Sequence, residues 1–133
     1  MSLSSRPDTM LFTLIEQFEE LYMCGGPSCL RRAEELEKPL RKCQRCRLLR
    51  YCSTDCQLEG WNWQQSPHKI TCKMIPRFTA ILGNVNETHG HIDNVSERIY
   101  RAVEDAGVSW HDGDLVATAL SKLIFLREAI ERT

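Results

Sequence analysis

Residues 24–72 read CGGPSCLRRAEELEKPLRKCQRCRLLRYCSTDCQLEGWNWQQSPHKITC, and this stretch holds all seven cysteines of the chain. A histidine, His68, stands four positions before the last of them. The eight residues form four close pairs: Cys24 with Cys29, Cys43 with Cys46, Cys52 with Cys56, and His68 with Cys72. Two to four residues separate the members of each pair. That is the span over which two side chains of a tight turn, or of one helical face, reach a single small ion. Eight soft ligands in four pairs predict two tetrahedral zinc sites, one Cys₄ and one Cys₃His.

A disulfide framework is the competing reading, and two features weigh against it. The cysteine count is odd, and the opening residues MSLSSRPDTM have neither the basic start nor the apolar run of a secretory signal. Thiols kept intact as metal ligands imply a reducing compartment, so the expected location is cytoplasm, nucleus or both. No apolar run approaches the roughly 20 residues of a membrane span, and no membrane association is expected. The net charge of −1 gives no global reason to bind nucleic acid. Charge is nevertheless uneven: residues 1–23 carry −3, residues 24–72 carry +4, and residues 73–133 carry −2. Seven thiolates and two Zn²⁺ would bring the middle segment to about +1. Arg41, Lys42, Arg45, Arg47 and Arg50 are therefore read as a local offset to the thiolates, and nucleic acid as an unfavoured partner.

Local signals place the pairs on elements. Before them, Leu11, Leu14, Ile15, Phe18, Leu21 and Tyr22 recur at helical spacing, with Asp8 or Thr9 as the expected N-cap. The stripe is expected to pack on the C-terminal helices; a dimer is the alternative. Gly25, Gly26 and Pro27 predict a turn that lets backbone come close to a metal. Residues 30–42 are highly charged and read as an exposed insert without chemistry of its own. Arg47–Tyr51 is expected to form a short strand. Ser53 is placed to cap a helix carrying Cys56, Gln57 and Trp61. Pro67 is placed to open a helical turn on which His68 and Cys72 share a face.

The run Tyr51-Cys52-Ser53-x-x-Cys56-Gln57, then Trp61, then His68-Lys69-x-x-Cys72, resembles the MYND-type zinc finger, and Cys43-x-x-Cys46 fits the same pattern. The resemblance covers residues 24–72. Three spacings are longer than the family's, after Cys24, after Cys29 and around Asn62–Pro67, and are expected to enlarge loops. The resemblance implies interleaved ligation, with Cys24, Cys29, Cys52 and Cys56 on the first zinc and Cys43, Cys46, His68 and Cys72 on the second. It also implies a protein-interaction role, commonly with proline-rich peptides, in which Gln57 and Trp61 contact the ligand. The groove is expected between the Arg47–Tyr51 strand and the helix bearing those two residues. The expected fold class is a small zinc-dependent α+β finger with two interleaved zinc sites and a short β hairpin, flanked by mainly α-helical segments. A segment of this size cannot build a sufficient core alone. Structural zinc contributes on the order of 10–16 kcal/mol of apparent binding free energy, enough to organise it.

The expected organisation is an N-terminal amphipathic helix over 1–23, the finger over 24–72 and a helical region over 73–133. In the last region, helices are predicted over Met74–Leu82, from Asn94 (with Glu97 as a capping box) to Gly107, and from Asp114 onward. The final stripe is read as Leu115, Ala119, Leu120, Leu123, Leu126 and Ile130. Asn86–His91 reads as loop. His89, His91 and His111 read as lone histidines, and no catalytic constellation is found. The expected function is a non-enzymatic zinc-binding adaptor or scaffold module for proline-containing peptides of a partner protein, as a monomer or weak dimer. The alternative is a fragment or accessory subunit of a ubiquitin-ligase or SET-type methyltransferase system. A ligase RING places its histidine nearer the middle of the ligand set, and about sixty helical residues cannot hold a SET domain.

Overall fold

The computed structural model describes residues 10–87 and 95–132. In chain order they form α1 (Met10–Leu21), a 3-10 turn (Ala33–Glu35), β1 (Arg41–Lys42), β2 (Arg50–Tyr51), α2 (Thr54–Trp61), α3 (His68–Thr71), α4 (Ile75–Glu87), α5 (Val95–Ala106) and α6 (Trp110–Arg132). The expected caps of α1 at Asp8 or Thr9, and of α5 at Asn94, lie outside the described residues, as do His89 and His91.

The helical part is built on α6. Helix α1 lies along it, α4 touches α1, and α5 packs on α4. The α1 stripe is buried inside the chain through Leu11, Phe12, Ile15 and Phe18, with Phe12 added to the expected set and Tyr22 left exposed. Phe12 meets Phe78 of α4 edge to face, with ring centroids 6.3 Å apart. Burying each such side chain stabilises by roughly 1.5–3 kcal/mol, which is why the stripe does not remain in water.

Two helices differ from expectation, and glycine accounts for both. Helix α4 was expected to stop at Gly83-Asn84, but it continues to Glu87. Gly83 has no left-handed φ there, and the modest propensity cost of a helical glycine does not outweigh burial of Ile75, Phe78 and Ile81 on the same helix. Helix α6 begins at Trp110 rather than Asp114, capped by Ser109, whose Oγ accepts the His111 N–H at 3.0 Å. Gly113 then sits within the helix. A Cβ there would lie 3.2 Å from Leu11 and 3.4 Å from Phe78, so its absence lets α1 and α4 close onto α6. The buried face is correspondingly rotated to Val116, Ala119, Leu120, Leu123, Ile124 and Arg127, leaving Ile130 exposed. Gly107 does end α5 as expected. Its φ is +70°, with Gly107 N–H donating to Glu104 O and Val108 N–H to Val103 O, the bond pair of a Schellman cap.

The cysteine-rich segment holds the hairpin. β1 and β2 pair antiparallel with Arg41 opposite Tyr51 and Lys42 opposite Arg50. Only Arg50–Tyr51 of the expected Arg47–Tyr51 strand is extended. The preceding residues coil instead: Arg47 takes φ +60° and Cys43 N–H bonds Leu49 O at 2.8 Å, the tight path that turns Cys43 and Cys46 toward one point. The segment does not supply its own core. Leu30, Leu48, Leu49 and Tyr51 join one continuous apolar cluster with the stripes of α1, α4 and α6.

Two arginines fasten the segment to the helices. Arg50, expected to offset thiolates, is buried. It donates to the Glu19 carbonyl at 3.2 Å and lies 4.2 Å over the Tyr22 ring, closing the C-terminal end of α1. Arg127 of α6 donates to Leu30 O at 3.0 Å and to Glu35 at 2.9 Å. The 30–42 insert is therefore pinned to the last helix through its 3-10 turn. No described helix is long and apolar enough to cross a membrane.

Candidate metal centre

The structure brings the eight expected ligands together in two groups. Cys24, Cys29, Cys52 and Cys56 form one, and Cys43, Cys46, His68 and Cys72 the other. In each, the ligand atoms lie within 4.8 Å of one another and could hold a metal ion. The first pair thus meets the third, and the second meets the fourth.

Each side chain reaches its group through a local device. In the first group, Gly26 N–H and Cys52 N–H both approach Cys24 Sγ at 3.4 Å. A Cβ on Gly26 would come within 2.8 Å of the Cys56 Cβ, so the turn can cross α2 at this distance only without a side chain. Ser53 accepts the Cys56 N–H at 3.1 Å and caps α2 as expected. Glu59, one turn further on α2, receives the Ser28 N–H at 3.1 Å and also the Ser28 hydroxyl, which ties α2 to the first turn. In the second group, Pro67 precedes the short α3 that bears His68, and Cys72 closes it with its N–H on His68 O at 2.7 Å.

The spacing fits zinc. Tetrahedral Zn–S bonds of about 2.3 Å put neighbouring sulfurs about 3.8 Å apart. The observed Sγ separations are 3.7 Å for Cys29–Cys52, 3.5 Å for Cys52–Cys56 and 3.7 Å for Cys43–Cys72. Cys46 Sγ lies 3.6 Å from His68 Nε2. A disulfide would require about 2.05 Å, so these thiols are free. All four positions of each tetrahedron come from protein, which leaves no place for a catalytic water and marks the metal as structural.

The electrostatics point the same way. Burial pushes the Cys24 thiol far up, Cys46 up to about 12 and Cys72 up to about 11. Burial also acts on Cys43, but the N–H groups of Cys46 and Arg45 outweigh it and lower that thiol. Burial holds His68 near 4, so its ring is neutral and able to donate a lone pair at neutral pH. Several adjoining buried thiols that must each lose a proton are mutually unfavourable, and a divalent cation is the compensating charge.

Trp61 and Gln57 stand beside this centre. The Trp61 ring meets the His68 ring edge to face with centroids 5.8 Å apart, and its other side is partly open. With Gln57 it lines a depression of ≈ 450 Å³ whose far wall is Arg41, Lys42, Gln44 and Arg45. A second depression, of ≈ 350 Å³, lies on the other side of Gln57 against Lys38, Pro39, Arg41, Ser53 and Thr54. The wall facing α2 is mainly β1 and the Cys43–Arg45 turn; of the expected Arg47–Tyr51 strand only Tyr51 lines either depression, and Arg50 is buried. Trp63, the other tryptophan of the segment, faces α6 across a small interior space lined by Tyr51, His68, Ala119 and Leu123. The lengthened 62–67 loop also offers Gln65 O to Lys122 Nζ of α6 at 2.7 Å. His111 is exposed and joins neither metal group. The basic wall was visible as a charge run, but its alignment along a groove depends on the hairpin register.

This donor set, geometry and α+β arrangement define a structural zinc finger. Residues 22–72 match the family model of the MYND finger, and the segment is one. A MYND finger is a non-enzymatic protein-interaction module that binds zinc, and the two groups of four ligands suit two Zn²⁺. Over 60 residues the chain is 43% identical to a SET and MYND domain-containing protein of Dictyostelium discoideum, covering 44% of this chain and 10% of that protein. It is 32% identical over 78 residues to SET domain-containing protein 14 of Caenorhabditis elegans, covering 59% of this chain and 15% of the relative. It is 36% identical over 55 residues to the MYND-type zinc finger protein samB of Aspergillus terreus, covering 41% and 8%. The chain thus spans a small part of the length of the curated relatives it matches. No solved structure matches it.

Proposed function

We propose that the chain is a zinc-ordered adaptor whose finger receives an extended, proline-containing peptide of a partner protein beside Gln57 and Trp61. Cys24, Cys29, Cys52 and Cys56 hold one zinc, and Cys43, Cys46, His68 and Cys72 the other. The observation that carries the reading is the pairing of Trp61 and Gln57 on one half-open face of α2, lining the same depression. Trp61 offers a flat apolar surface for a proline ring, and the Gln57 amide can bond a peptide backbone. Polyproline-type segments are already extended and lose little entropy on docking. In this reading the chain performs no catalysis itself, works as a monomer or weak dimer in the cytoplasm or nucleus, and engages neither membrane nor nucleic acid.

The test is titration of a proline-rich peptide library against the zinc-loaded chain and its Gln57→Ala and Trp61→Ala variants. Loss of binding with both zincs retained is the expected result. Unchanged affinity would move the site elsewhere, and loss of zinc would make Trp61 a structural residue.

A second reading is favoured by the names of two relatives, which carry SET domains. The chain would then be a fragment or accessory part of a SET-type methyltransferase, or of a ubiquitin-ligase system, with the finger recruiting substrate. Methyl transfer by the chain alone would overturn the non-enzymatic reading.

A further inference from the structure

The cations around Gln57 are not accounted for by the fold. From residue 38 to residue 53 the chain carries Lys38, Arg41, Lys42, Arg45, Arg47 and Arg50 and no acidic residue. Arg50 is committed to Glu19 and Tyr22. Lys38, Arg41, Lys42 and Arg45 instead line the two depressions that meet at Gln57. The side chains of these four make no ion pair or hydrogen bond with the described residues, although Arg45 eases ionisation of Cys72. No carboxylate lines either depression. The nearest acids on α2 are elsewhere: Glu59 is bound to Ser28, and Asp55 is exposed outside both linings.

From this geometry we infer that the partner segment is acidic: a proline-containing peptide with Asp or Glu within about three residues of the proline, its carboxylates meeting Lys38, Arg41 and Lys42. The inference rests on the peptide reading of the groove and adds its charge. An extended chain advances about 3.3 Å per residue, so residues flanking a proline on Trp61 fall along the basic wall. Complementary charge across such a rim sets specificity and association rate. A peptide is favoured over nucleic acid because the cations are few and confined to one wall. The net charge is −1, and a phosphate backbone needs a longer run of contacts.

The experiment is calorimetric titration of the zinc-loaded 133-residue chain with decapeptides that share one proline-containing core and are flanked by Asp/Glu, Ser or Lys. It is run at about 0.05 and 0.5 M NaCl, with an unrelated DNA oligonucleotide as a further probe. The expected result is binding of the acid-flanked peptide about tenfold more tightly than the Ser-flanked one at low salt, with the gap closing at high salt. Arg41→Glu with Lys42→Glu should reverse the ranking of acidic and basic flanks, with two zinc ions still counted by native mass spectrometry. Equal affinity for all three flanks would overturn the acidic preference and leave the groove standing. Failure of every peptide to bind would overturn both, and salt-sensitive binding of the oligonucleotide in their place would assign the basic wall to nucleic acid.

Discussion

Arg127 Nη1 donates to the backbone carbonyl of Leu30 at 3.0 Å, across 97 positions of sequence. The same nitrogen meets Glu35 at 2.9 Å, while Nε holds Glu131 at 3.0 Å. The guanidinium fork is what allows one side chain to join the turn after Cys29 to the last helix.

Arg127→Ala should therefore destabilise the chain by about 1–3 kcal/mol, since it leaves a buried carbonyl without a donor. Urea unfolding checks the size. Arg127→Lys should recover only part of the loss, and both variants should keep two zinc ions by mass spectrometry. Stability equal to the parent in the alanine variant would show that water replaces the fork.

Zinc removal should affect more than the finger. The metal-bearing segment shares one apolar cluster with α1, α4 and α6. Native mass spectrometry should count two zinc ions on the reduced chain. A strong chelator should abolish the tertiary near-ultraviolet signal, including that of Trp110 at the start of α6, and not only that of Trp61 and Trp63. One zinc or none in fresh protein would remove the basis of the two-site assignment.

Two glycines should respond oppositely to the same change. Gly26→Ala places a Cβ 2.8 Å from that of Cys56, so one metal group must distort, and zinc affinity in a competition assay should fall at least about tenfold. Gly83→Ala meets nothing within 4 Å and should stabilise helix α4 by about 1 kcal/mol. A neutral Gly26→Ala would mean that the first turn yields more easily than its contacts suggest.

Acid should weaken the fold through His68. Burial lowers its folded pKa to about 4 from 6.5, so the unfolded chain binds the proton more readily between those values. This contribution to stability is fully present above pH 6.5 and declines as pH falls toward 4. Zinc on the ring acts in the same direction. An NMR titration showing the His68 ring protonating near its ordinary value would contradict this.

The eight ligands were legible because ligation demands particular residue types at particular separations, as in Cys43-x-x-Cys46 and the His68–Cys72 pair. Which pairs share an ion followed from the family resemblance alone, since spacing allows sequential or interleaved wiring. Caps were legible for the same local reason, as at Ser53 and Gly107. The start of α6, the continuation of α4 past Gly83 and the rotated α6 face were not. Each depends on what another element places nearby: Leu11 and Phe78 against Gly113, or the Leu30 carbonyl opposite Arg127. The apolar pattern at Leu115 and Ile130 alone pointed to a different side of the helix. The charge run 41–50 was read as one function, yet it divides once the hairpin forms, with Arg50 turned inward and Arg41, Lys42 and Arg45 lining the groove.

The Trp61 and His68 rings meet edge to face, and His68 stands at the head of α3, which lies on α6. Swinging the indole aside would uncover a member of the second metal group. If a peptide docks on Trp61 as proposed, it would meet a wall braced from behind, one that selects by shape instead of moulding itself to each guest. Such a surface spends little on reorganisation when it closes on the right partner, and it has few ways to accommodate a wrong one.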